Sequence, residues 1–94
     1  MNVICIIHFN VKKQYQSEFS LMMKNVKSEL PTVKGCLKVD VHNNIEDPGQ
    51  YILVESWKTK QEHELHVKSM LDSGQWNDIS QMMKTEPTSA YYKT

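Results

Sequence analysis

Two segments of this chain are apolar at consecutive positions, Val3 to Ile7 and Tyr51 to Val54. Successive side chains of a strand point to opposite faces, so a strand that is apolar at every position leaves neither face suited to water. Any fold for this sequence must therefore set these two strands inside a sheet and cover both sides of it. The rest of the chain determines what provides the cover.

Between and after these strands the apolar period changes. Tyr15, Phe19, Met22, Met23, Val26 and Leu30 recur at three- and four-residue spacing and form one face of a helix. Pro31 stops that helix, because the residue before proline avoids the α region. Lys34-Gly35 turns into a strand, Cys36 to Asn43, with Leu37, Val39 and Val41 on one side and Lys38, Asp40 and His42 on the other. Asp47-Pro48-Gly49 is a turn signal ahead of the strand Tyr51 to Trp57. Thr59 with Glu62 three residues later forms a capping box, which opens a second helix. Its inward stripe is expected at Glu62, Leu65, His66, Ser69 and Met70. Asp72-Ser73-Gly74 interrupts it, Trp76, Ile79, Met82 and Met83 suggest a further short helix, and Thr88 to Lys93 reads as a last strand.

The order β-α-β-β-α-β predicts an α+β fold, the ferredoxin-like split βαβ arrangement with an antiparallel sheet, as one domain over residues 1–94. In that arrangement the first and third strands are central, which agrees with their two apolar faces. Two helices cover one side of such a sheet. The other side, apolar as well, is expected to be covered by a second copy, giving a homodimer.

Eleven basic and 11 acidic side chains leave a formal charge of zero, which argues against nucleic acid as the main partner. No apolar run approaches the length of a membrane helix. Only Met1 and Asn2 precede Val3 to Ile7, so the basic region of a secretory signal is lacking, and a cytoplasmic protein is expected. Cys5 and Cys36 fit reduced thiols there. No Cys-x-x-Cys pair points to a metal ribbon or a redox motif.

The middle of the chain also carries a family resemblance. Gly35 to Val41 reads G-C-L-x-V-x-V, Asp47-Pro48-Gly49 precedes Y-I-L-V-E-S-W from Tyr51 to Trp57, and Leu65-His66 follows on the helix. This resembles the antibiotic biosynthesis monooxygenase (ABM) domain family. The resemblance implies a dimeric α+β barrel of ferredoxin-like subunits. It also implies a cofactor-independent monooxygenase that needs neither metal nor flavin and acts on a phenolic or quinol-like small molecule. Such chemistry asks the protein only for a base, a dry pocket and orientation, because a deprotonated hydroquinone can itself reduce oxygen. Two alternatives stay open: a non-catalytic dimeric barrel that binds a small apolar ligand or acts in stress response, and an isomerase or lyase using the same pocket.

His66 is the expected base, since its ordinary pKa lies near neutrality and it falls on the inward stripe. Without the resemblance a packed histidine would be the default reading. Trp57, Glu55 and Tyr51 share one face of their strand. Trp57 suits a flat aromatic substrate, and a carboxylate such as Glu55 in a central strand requires a partner or a cavity: an ion pair across the dimer, His66 or a substrate hydroxyl are the candidates. His8 and Asn10, at the end of the first strand, are expected at a pocket mouth, and Trp76 and Met70 in its walls. A metal site on His63 and His66 is not expected: the run is H-E-L-H rather than H-E-x-x-H, and His63 is read as flanking the buried stripe. In the haem-degrading branch of the family an Asn, a Trp and a ligand His work together. By rough alignment Ile6, His66 and Trp76 stand at those positions, so none of the three residue types is kept.

Overall fold

The computed structural model describes residues 2–94. Its elements run in the expected order: β1 (Val3–Asn10), α1 (Gln16–Glu29), β2 (Cys36–Asn43), β3 (Gln50–Trp57), α2 (Lys60–Ser73), α3 (Gln75–Gln81) and β4 (Thr88–Lys93). The four strands form an antiparallel sheet in the order β2-β3-β1-β4. β1 and β3 are therefore central, as their two apolar faces require. The helices lie on one side. Toward them β1 directs Cys5, Ile7 and Phe9, and β3 directs Tyr51, Leu53, Glu55 and Trp57, all buried. Ile4, Ile6, Ile52 and Val54 occupy the alternate, helix-free face and are only half-buried in the single chain.

Local chemistry sets the boundaries. The Thr59 hydroxyl caps α2 by accepting from the Glu62 N–H at 3.1 Å and donating to the Glu62 carboxylate at 3.0 Å. Gly74, at φ +83°, ends α2 and begins α3, a left-handed backbone that glycine adopts without penalty. The Asp47 carboxylate accepts from the Gly49 N–H at 3.0 Å and closes the turn into β3. α1 packs Phe19 and Met23 onto the sheet, and Phe19 meets Phe9 and Tyr51 at ring separations of 5.1 and 5.0 Å.

Two expectations change. β2 carries a bulge between Cys36 and Lys38, so its inner residues are Cys36 and Val39, while Leu37 is turned outward and exposed. The inner stripe of α2 is rotated from the expected one. His63 is buried, and His66, Val67 and Met70 are half-buried, while Leu65 and Ser69 face solvent. No helix among the described residues is long and apolar enough to cross a membrane.

Candidate functional site

The sheet register assembles the site. Tyr91 of β4 pairs with Cys5 of β1, and Cys5 pairs with Glu55 of β3. These three residues form a row across the helix-facing side of the sheet. His63 of α2 descends onto that row. Its Nδ1 lies 2.5 Å from the Tyr91 hydroxyl, and its Nε2 lies 3.5 Å from Glu55 Oε1. The Trp57 indole N–H donates to the same Glu55 oxygen at 2.8 Å. Glu55 is 3 % exposed and Trp57 fully buried, so the indole satisfies part of the carboxylate that burial strips of water.

Electrostatics follow from that burial. Desolvation raises the Glu55 carboxyl from 4.5 to about 7, against the indole hydrogen bond, which favours the ionised form. Burial holds His63 below its ordinary value, helped by the nearby His66 and opposed by Glu64. Burial also lowers His66. Both imidazoles are thus favoured as neutral bases. The Glu55–His63 contact at 3.5 Å is long for a hydrogen bond, and the directions of both shifts disfavour a full ion pair.

Between the helices and the sheet lies a cavity of about 570 Å³, within the range of small-molecule sites. Glu55, His63 and His66 stand together among its polar groups, Asn25, Glu29 and Asp78 also border it, and Ile7, Leu53, Val67, Met70 and Trp76 form much of its apolar wall. The Trp57 ring backs His66 at a centroid separation of 5.6 Å and His63 at 5.2 Å. The arrangement offers a neutral base beside a partly protonated carboxyl in a largely apolar cavity.

The structure divides the residues singled out from sequence. Glu55, His66, Met70 and Trp76 meet at this cavity, with Trp57 directly behind it. Tyr51, His8 and Asn10 instead line a separate, more polar cleft of about 440 Å³. Tyr51 is also held in the core against Phe19.

His63 was missed, because the flank assigned to it is the centre of the buried face. The signal lay in the spacing His63, His66, Val67 and Met70, an i, i+3, i+4, i+7 series. It lay also in Glu55, whose burial demanded a partner.

No curated protein matches the chain. Among solved structures, a conserved protein of Methanosarcina mazei superposes at TM-score 0.86 and 20 % identity, covering 100 % of this chain and 93 % of the other. A Mycobacterium tuberculosis protein, Rv0793, gives 0.85 and 13 %, covering 100 % and 95 %. SnoaB, a cofactor-independent oxygenase from Streptomyces nogalater in a mutant form, gives 0.82 and 9 %, covering 99 % and 92 %. At these identities the likeness is one of fold. The family model for antibiotic biosynthesis monooxygenase matches residues 2–81, most of the chain, and the protein belongs to that family.

Proposed function

We infer that the 94 residues act as one domain, as a cytosolic homodimer, and as a cofactor-independent monooxygenase on a phenolic or quinol-like small molecule. The observation that carries this reading is the largely apolar cavity with the His66 imidazole in its wall, held toward the neutral form by burial. Family membership supports the reaction class. The half-buried apolar face of Ile4, Ile6, Ile52 and Val54 supports the dimer.

In the proposed reaction His66 takes the proton from a substrate hydroxyl. For an ordinary phenol, with a pKa about 10, that transfer is uphill by roughly 5 kcal/mol, and the later, irreversible reaction with oxygen draws it forward. The resulting anion gives an electron to O₂, and the two radicals join at a ring carbon to form a peroxide. Loss of water leaves a carbonyl. For a hydroquinone the balance is quinol plus O₂ to hydroxyquinone plus water. The quinol supplies all four electrons, so no external reductant is consumed. Trp76 and Met70 would bracket a flat ring, and the apolar wall would keep bulk water from the anion.

The test is oxygen uptake against a panel of hydroquinones and polyphenols in chelator-treated protein. Uptake that saturates with one substrate class and yields the hydroxyquinone supports the reading. Saturable binding of the panel with oxygen consumption at the uncatalysed rate would instead favour a ligand-binding barrel.

A further inference from the structure

The row Tyr91–Cys5–Glu55 with His63 above it brings together a thiol, a carboxyl and an imidazole. All three ligand-type residues are buried. Their donor atoms lie within 4.8 Å of one another. We propose that Cys5, Glu55 and His63 form a binding site for a divalent cation of the Zn²⁺ class, with its fourth position open to the cavity. The proposal is independent of the oxygenase reading, which assigns the proton transfer to His66.

Donor chemistry selects the class of ion. Sulfur, nitrogen and one carboxylate oxygen suit Zn²⁺ and its neighbours, whereas Mg²⁺ and Ca²⁺ require mostly oxygen. Bond lengths of about 2.0–2.3 Å around a tetrahedral zinc separate its donors by roughly 3.3–3.7 Å. His63 Nε2 and Glu55 Oε1 already stand 3.5 Å apart. The thiol reaches that spacing with a shift of about an ångström, within the reach of a side-chain adjustment.

The surroundings orient the ligands as metal sites require. In the tautomer whose Nδ1–H donates to the Tyr91 oxygen, His63 offers its Nε2 lone pair to the ion. Trp57 fixes the Glu55 carboxylate by donating to the same Oε1, which keeps a second lone pair for the ion. Such outer partners set the tautomer and direction of metal ligands. Glu55 and His63 both border the cavity, so a water or a substrate oxygen can take the remaining vertex. A thiolate and a carboxylate neutralise the double charge of the ion in this buried place. Without the ion, burial and the Glu55 charge hold the thiol protonated, with a pKa of about 12. Binding therefore breaks the Cys5 S–H bond, forms a sulfur–metal bond and releases one proton to solvent.

Co²⁺ titration of the untagged, chelator-stripped chain tests the site. The expected result is one Co²⁺ per chain with a sulfur-to-cobalt charge-transfer band, displaced by Zn²⁺. Cys36→Ser should keep the band, Cys5→Ser should lose it, and His63→Gln should weaken binding at least tenfold. The chain has two cysteines, so a band kept in Cys36→Ser assigns the sulfur to Cys5 even where the Cys5 variant fails to fold. The absence of any charge-transfer band in the wild-type chain, or a band lost in folded Cys36→Ser, overturns the proposal. Hydroquinone-dependent oxygen uptake, measured separately with chelator, reports on the oxygenase reading alone.

Discussion

Glu55→Gln should make the protein more stable at neutral and alkaline pH, an unusual result for a change at a 3 %-exposed position. The carboxyl of Glu55 rises from 4.5 to about 7 chiefly through burial. The folded state therefore binds a proton more tightly than the unfolded state. Stability from this group is full below pH 4.5 and is lost as pH rises through about 7. At about 1.4 kcal/mol per pH unit the whole displacement is worth roughly 3 kcal/mol. Most of that, roughly 2–3 kcal/mol, falls between about pH 5 and pH 8. Gln keeps the oxygen that accepts from Trp57 and faces His63 Nε2, and replaces the other with an amide. It does not titrate. Urea melts of both proteins at those two pH values, with chelator present so that no cation holds the carboxylate ionised, give the difference directly. With an m-value of about 1 kcal/mol/M, the midpoint of the variant should gain roughly 2 M on the wild type between the two conditions. His63 and His66, both lowered by burial, act in the opposite sense. Their stability is present above pH 6.5 and lost below it. They are common to both proteins and largely cancel in the comparison. Parallel pH dependences, or a wild type that gains on the variant at high pH, would refute the assignment of Glu55 as a carboxyl destabilised by burial.

Gly35→Ala should cost about 1–3 kcal/mol in a thermal melt, since φ is +90° and the new Cβ would meet Glu62 Cδ at 2.5 Å. Sedimentation at micromolar concentration should find a dimer, with an interface on the order of 2,000 Å² over the helix-free face; a stable monomer would contradict the pairing. Thiol titration of the unfolded, unreduced chain should find both cysteines free. β3 lies between β1 and β2, and two strand spacings of roughly 9–10 Å exceed the reach of a disulfide, about 7 Å between Cα atoms.

The sheet was legible because its signals are strong and local. β1 and β3 each hold a run apolar at consecutive positions, Val3 to Ile7 and Tyr51 to Val54, and only a central place satisfies both faces. α1 was legible for a related reason: Phe19, Met23 and Leu30 stand on a stripe whose surroundings, Leu21 apart, are mostly polar, and all three are buried. α2 offered no such contrast. Leu65 and Leu71 are apolar yet exposed, at 67 % and 57 %, and the phase of the helix is set by what lies beneath it. The row of Glu55, Cys5 and Tyr91 presents polar atoms, and His63 answers them where a leucine would leave the Tyr91 hydroxyl without its partner and the Glu55 carboxyl with the Trp57 indole alone. That match depends on strand register across three strands, which hydropathy in a short window does not carry. The bulge at Cys36 likewise moved Leu37 outward against a regular alternation. Tyr51, His8 and Asn10 were placed with the site because they share its strands, but strand length separates them. Tyr51 is four residues from Glu55, roughly 13 Å along β3, and its end of the sheet opens into the other cleft.

In the proposed reaction His66 is the base of an oxygenation carried out in the cavity. The most direct measurement is the rate of oxygen uptake by wild type and His66→Gln on one confirmed hydroquinone, with chelator present and with folding and dimerisation verified for both. Gln preserves most of the side-chain volume beside Trp57 but cannot accept the proton near neutral pH. A loss of roughly 10²–10⁴ in rate is expected, with the wild-type acid limb set by an apparent pKa below 6.5, in the direction that burial moves His66. A folded His66→Gln dimer that turns over at the wild-type rate would contradict it.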